Sequence, residues 1–211
     1  VLGPDSDSIQ SWLDGAPFAI QHNQLGTGDA VAAARDTLGR NTGSGAATGS
    51  GAATGSGTAL VMFADNPLVS AATLQDMAAR IEAGAAITVG AFEALDPAGY
   101  GRVVRANDGT VSRIVEHRDA TPDELTISLC NGGIMAVRLP LLFDLLDRVT
   151  NDNAKGEFYL TDIIGLAAGD GHRIDCAVVD MDEFIGVDSR HGQARAEAAL
   201  QQRLRNAALD S

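Results

Sequence analysis

Asp65, which ends the apolar stretch Val61-Met-Phe-Ala-Asp-Asn-Pro67, and Asp188, in Gly186-Val-Asp-Ser-Arg190, place two carboxylates at what read as strand mouths far apart in the chain. Two acids converging on one site need a reason to coexist. At about 4 Å and an effective dielectric of about 20, like unit charges repel by about 4 kcal/mol. A divalent cation between them removes that penalty. Oxygen ligands with open coordination positions suit Mg²⁺, which commonly holds substrate phosphates as well. Asp65 and Asp188 are therefore the candidate metal ligands and catalytic residues.

The elements that must position them follow from periodicity. Ala59–Phe63 is a continuous apolar run, the pattern of a strand buried on both faces. Further strands are expected at Phe18–Ile20, Ala86–Phe92, around Asn131 within Leu125–Val137, and at Ile174–Val179. Gly101–Arg105 and Thr110–Glu116 flank Ala106-Asn-Asp-Gly109, a hairpin signal. Apolar spacing of three and four predicts helices over Asp5–Gly15, Gly28–Leu38, Ala72–Ala83, Leu141–Val149, Phe158–Ala168 and Gln193–Leu209. Pro140 suits the start of the fourth. Strands alternating with helices predict an α/β fold: a Rossmann-like, mixed, mostly parallel sheet with helices on both faces and one β-hairpin excursion. Ligands in such sheets bind outside the carboxyl ends of the strands, where Asp65 falls.

Between residues 42 and 57 the hexad Gly-Ser-Gly-Ala-Ala-Thr recurs. It has no side chains able to bury a core and reads as a flexible surface insertion within one domain. The 211 residues, 45% hydrophobic, suffice for one sizeable domain. Net charge is −13, from 28 acidic against 15 basic residues, which argues against a nucleic-acid partner. Lys155 is the only lysine. Cys130 and Cys176 form no metal or disulfide spacing, which suits a reducing, cytoplasmic setting. No apolar run reaches the roughly 18–20 residues of a membrane span. The chain opens at Val1 without methionine, and Val1-Leu2 reads as the tail of a strand begun upstream.

Six segments in order resemble the sugar-nucleotide pyrophosphorylases, in particular the uridylyltransferase half of the bacterial bifunctional UDP-N-acetylglucosamine pyrophosphorylase/glucosamine-1-phosphate N-acetyltransferase family. They are Gln21-His-Asn-Gln-Leu-Gly-Thr27, Phe63-Ala-Asp-Asn-Pro67, Tyr100-Gly-Arg102, Val115-Glu-His-Arg-Asp-Ala120 with Asn131-Gly-Gly-Ile134, Asn153–Asp162, and Gly186-Val-Asp188. The resemblance covers most of residues 1–200 outside the repeat. It implies the nucleotide-diphospho-sugar transferase (GT-A-like) fold and Mg²⁺ on Asp65 and Asp188, the latter also a substrate contact. UTP and N-acetylglucosamine 1-phosphate would be joined to UDP-N-acetylglucosamine. Gln21, Gly26 and Thr27 would hold uridine; a glutamine amide both donates and accepts, matching the imide edge of uracil. Gly101, Glu116 and Asn131 would hold the N-acetylglucosamine moiety, with Tyr159 and Thr161 near the sugar phosphate. A homo-oligomer built through a further C-terminal domain is also in keeping with the resemblance.

Departures leave alternatives open. The family's Gly-rich phosphate loop, G-x-G-T-R-M…P-K, has no counterpart here, so the 211 residues alone are expected to be impaired. Ala64 replaces a usual glycine, and Asp188 a usual asparagine. The Gln21–Thr27 segment would also serve as an ordinary turn with Thr27 capping the next helix. A transferase for another sugar 1-phosphate, or a sugar-nucleotide-binding module without catalysis, accounts for the same motifs.

Overall fold

The computed structural model describes residues 1–41 and 57–209; apart from Gly57, the repeat at 42–57 lies outside them. A six-stranded sheet forms the centre. Its strands are β1 (Thr58–Val61), β2 (Ile87–Glu93), β3 (Arg102–Arg105), β4 (Val111–Val115), β5 (Leu129–Arg138) and β6 (Ile174–Val178). They run in the order β4-β3-β5-β2-β6, and β1 also pairs with β5.

β2 and β5 are buried along almost their whole length, as expected of strands covered on both faces. Their side chains alternate between two cores. Ile87, Val89, Met135 and Val137 face α5 (Leu139–Leu146) and α6 (Asp162–Gly169). Phe92, Cys130, Ile134 and Ala136 face Met77 and Ile81 of α4 (Ala71–Glu82). Ser70 caps α4 by accepting from the Thr73 amide at 3.1 Å.

The mixed sheet with helices on both faces matches the sequence reading, but the parallel majority does not. Among the six strands of the described residues, only β2 and β6 pair in parallel; the other strand pairings are antiparallel. The cause is β5. The chain turns through the β3–β4 hairpin and reaches β5 with a single short 3-10 turn, Glu124–Thr126, between. No crossover helix carries it back, so β5 runs against β1, β2 and β3.

Other elements are shorter than periodicity suggests. Phe18–Ile20 makes one parallel bridge, Leu2 to Ile20. The helix over residues 28–38 divides at Ala34 into α2 (Thr27–Ala33) and α3 (Arg35–Asn41). At the start, α1 is only Asp7–Gln10, and Trp12 is 86% exposed. Helical spacing at 158–161 misleads, because that backbone is engaged elsewhere. The Phe158 amide donates to Leu25 O (2.8 Å), its carbonyl accepts from Gly28 N (2.8 Å), and the Leu160 amide donates to Thr27 Oγ1 (2.9 Å). A closing helix, α7 (Arg190–Leu209), packs Ala196 against Leu68 and Ile185.

Candidate functional site

The turn after β1 and the segment before α7 are fastened together. Val187 N–H donates to Asp65 O at 2.8 Å, and Asn66 Nδ2, buried, donates to Phe184 O at 3.2 Å. Both aspartates consequently line one cleft of about 600 Å³. Asp65 Oδ2 lies 3.7 Å from where a Cβ on Gly186 would stand. Asp188 Oδ1 lies 3.4 Å from the corresponding point on Gly192.

The cleft floor is a bulge. Val89 pairs with Met135 but Ala91 with Asn131, so β5 carries extra residues at Gly132-Gly133. Bulges re-aim side chains and are common beside functional sites. Here the bulge is at Asn131, whose Oδ1 accepts from Gly133 N at 3.1 Å. The glycines are required by close approach: a Cβ on Gly132 would sit 2.4 Å from the Phe184 ring, and one on Gly133 2.6 Å from the Phe63 ring. Gly133 also has φ of 77°. Phe184 is held in turn against Phe92, centroids 5.5 Å apart.

Opposite lies a polar wall. Thr161 Oγ1 donates to Glu116 Oε1 at 3.1 Å, and Glu116 Oε2 is 3.5 Å from the Cβ position of Gly101. A side chain at 101 would narrow the space between Glu116 and Asn131. Tyr159 is buried at the cleft wall, its hydroxyl without a hydrogen bond of normal geometry and beside the Lys155 backbone amide. Burial, with Asp119, Glu116 and Glu157 nearby, pushes that phenol up, so it stays a neutral donor. Asn153 organises this wall: Oδ1 accepts from the Lys155 and Glu157 amides, both at 3.2 Å, and Nδ2 donates to Glu157 O at 2.6 Å.

Thus Thr27, Asp65, Gly101, Glu116, Asn131, Tyr159, Thr161 and Asp188 border one cleft. Gln21 and Gly26 are not among its lining residues; they are joined to each other, Gln21 Nε2 donating to the carbonyl of Gly26, which precedes Thr27. Gly26, at φ of 121°, could bear no side chain, because a Cβ would meet Phe158 O at 2.6 Å. Gln21 has both amide hydrogens engaged within the chain. Its Nε2 already donates to Gly26 O (2.9 Å) and Asp29 Oδ2 (2.7 Å). Sequence reasoning missed the cleft residues Lys155, His191 and Arg195, and the buried fastener Asn66. Lys155 had a signal, as the chain's only lysine inside a motif; α7's charges had none.

Acids dominate the lining, with Asp65, Glu116, Glu157 and Asp188 against Lys155 and Arg195. Among the described residues no three His, Cys, Asp or Glu side chains gather into a metal-binding group. Two carboxylates at an open cleft do fit Mg²⁺, which keeps waters and takes the remaining oxygens from phosphates. They do not fit the closed nitrogen- and sulfur-rich coordination of structural zinc.

The fold is that of the sugar-nucleotide pyrophosphorylases. A UDP-glucose pyrophosphorylase solved with UDP-glucose superposes over 97% of this chain and 80% of its own at a TM-score of 0.70 and 16% identity. An apo UDP-glucose pyrophosphorylase gives 0.59 at 15% identity, over 94% and 69% of the two chains. In sequence, the chain is homologous to the bifunctional protein GlmU. It is 44% identical to that of Maricaulis maris (strain MCS10) and to that of Parvibaculum lavamentivorans (strain DS-1), over 99% of its own residues in each case. The GlmU of Exiguobacterium sibiricum is 39% identical over 96%. The chain spans 44% of the length of the first two relatives and 43% of the third. No family model matches.

Proposed function

We propose that this chain is the uridylyltransferase portion of a GlmU-type protein, joining UTP and N-acetylglucosamine 1-phosphate to UDP-N-acetylglucosamine and pyrophosphate in the cytoplasm. The observation carrying this reading is the meeting of Asp65, Asp188, Glu116, Asn131 and Thr161 on a single cleft in a pyrophosphorylase fold. The GlmU relatives favour the amino sugar over glucose.

No protein nucleophile is needed. The sugar-1-phosphate oxygen attacks the α-phosphorus of UTP, forming the new P–O bond as the bond to pyrophosphate breaks. Catalysis is then alignment and charge neutralisation. Asp65 and Asp188 would hold Mg²⁺, which supplies charge neutralisation to the phosphates. Glu116 accepts from a sugar hydroxyl while Thr161 keeps its carboxylate in place. Asn131, held through Oδ1, leaves its amide N–H free to donate to the acetamido carbonyl. Tyr159 stays protonated and donates to the sugar phosphate. Lys155 and Arg195 are the permanent cations available to phosphate oxygens among the described lining residues.

Within the 211 residues nothing matches the glycine-rich phosphate loop. The test is calorimetric titration with UDP-N-acetylglucosamine and UDP-glucose in Mg²⁺, paired with pyrophosphate release. Mg²⁺-dependent binding that prefers the N-acetylated ligand is expected. Binding of neither ligand would falsify the reading.

A further inference from the structure

We infer that Arg102 is a positioning residue for the cleft: its buried guanidinium fixes the Tyr100-Gly101 peptide and thereby sets where Gly101 stands between Glu116 and Asn131. The inference rests on the proposed sugar-nucleotide reading and adds to it a residue that lies outside the cleft lining. Arg102, the first residue of β3, is only 1% exposed. No carboxylate among the described residues forms an ion pair with it, and its Nε, also buried, has no hydrogen-bond partner. Such a placement is unfavourable. Burying a charge without a counter-charge disfavours the folded state, and an apolar side chain of similar volume is often as stable or more so. Packing therefore does not account for an arginine at this position.

What the guanidinium does is local. Its Nη1 donates to Tyr100 O, two residues back. The Tyr100 amide donates in turn to Pro97 O at 3.2 Å, and the Tyr100 ring stands edge-on to Phe92 with centroids 5.0 Å apart. With Tyr100 held at its amide, ring and carbonyl, the next carbonyl, Gly101 O, meets the Asn131 amide at 2.8 Å. Tyr100, Gly101, Glu116 and Asn131 all line the cleft, whereas Arg102 does not. A Cβ on Gly101 would stand 3.5 Å from Glu116 Oε2 and 3.6 Å from Asn131 Cβ, so the backbone here runs close to both. A shift of the Tyr100-Gly101 peptide would move it against the two groups proposed to meet the sugar. The consequence falls on the sugar and not on the nucleotide.

The experiment titrates the chain with UDP-N-acetylglucosamine and with UDP in Mg²⁺, and follows urea unfolding of the same proteins. Arg102→Met removes the charge and the donor but keeps an apolar stem. It is expected to bind UDP-N-acetylglucosamine about tenfold more weakly, the scale of one charged hydrogen bond. UDP affinity is expected to stay within about twofold of wild type, and the unfolding midpoint to be no lower. Arg102→Lys, which retains a cationic donor, recovers most of the lost affinity; filling the core alone would not achieve this. If Arg102→Met does not fold, Arg102→Gln, uncharged and shorter, is measured in its place with the same fall expected. A lower midpoint with equal losses for both ligands overturns the inference and leaves the functional reading standing. Full affinity for the sugar nucleotide in a folded variant without the guanidinium does the same. A wild type that binds neither ligand overturns both.

Discussion

Val187 donates its backbone amide to the carbonyl of Asp65 at 2.8 Å. That single bond joins the turn that ends β1 to the segment that launches α7, and it makes the acidic pair a property of the backbone rather than of side-chain chance. Asn66 reinforces it through Phe184 O. With these two fasteners the carboxylates share one cleft without any direct bond between them.

Asp65→Asn is expected to abolish the Mg²⁺ dependence of UDP-N-acetylglucosamine binding, because a neutral amide is a far poorer ligand for a hard cation. Asp188→Asn should weaken the metal effect less, shifting the half-saturating Mg²⁺ upward while binding persists. Calorimetry at stepped Mg²⁺ concentrations separates the two. Equal, unaltered Mg²⁺ curves in both variants would remove the metal assignment.

Thr161→Val deletes the hydroxyl that donates to Glu116 Oε1. A charged hydrogen bond of this kind contributes about 1.5–3 kcal/mol, so affinity for UDP-N-acetylglucosamine should drop at least about tenfold. Affinity for UDP, which lacks the sugar, should hardly move. A parallel loss for both ligands would place Thr161 in the scaffold and not at the sugar.

Much of this cleft is legible in the chain. Asp65 stands out as a carboxylate just after an apolar strand, and Gly101, Glu116 and Asn131 belong to segments whose order is itself informative; Asp188 reaches the cleft not from a strand mouth, as the sequence suggests, but from the segment between the 3-10 turn Met181–Phe184 and α7. What periodicity cannot supply is long-range backbone pairing. Residues 158–160 carry helix-like spacing, yet their amides and carbonyl bind the Leu25–Gly28 segment, so α6 begins only at Asp162. The direction of β5 is invisible for the same reason: apolar runs look alike whichever way a strand points. Arg195 was unreadable because a charge on a long solvated helix has no local mark of what its first turns face.

Gly132→Ala should destabilise the fold by about 1–3 kcal/mol, since its methyl would lie 2.4 Å from the Phe184 ring in a packed core. The double variant Gly132→Ala/Phe184→Leu should lose less than the sum of the single changes, because the clash needs both partners. Urea denaturation of the four proteins tests this. Strict additivity would mean that the bulge is not held by the ring.

Glu124 gives a pH signature away from the cleft. The Thr121 backbone amide, the Thr121 hydroxyl and the Arg113 guanidinium hold its carboxyl at about 2, below the ordinary 4.5. A depressed carboxylate contributes stability that is present above its unfolded value and is lost as pH falls through the folded one. Glu124→Gln should therefore be less stable than wild type at pH 7, with the difference closing between pH 4.5 and 2. Denaturant midpoints at several pH values read this directly; a gap that stays constant with pH would show that the carboxylate's charge is not involved.

Two glycine-to-alanine changes should move in opposite directions. At Gly192, in the first turn of α7, a Cβ would come 2.4 Å from Gly186 O and 3.4 Å from Asp188 Oδ1. Neither atom can yield without moving the segment that carries Asp188, so Gly192→Ala should lower both stability and Mg²⁺-dependent ligand affinity. At Gly165, inside α6, the nearest atom is Arg113 Cβ at 3.7 Å, an ordinary contact. Alanine there gains about 0.5–1 kcal/mol by restricting the unfolded chain, with ligand affinity unchanged. Thermal melts with and without UDP-N-acetylglucosamine compare the pair. Because α7 meets the Asp188 side of the cleft through its first turns, a Gly192→Ala protein that is destabilised but retains full Mg²⁺-dependent affinity would detach the helix from the site.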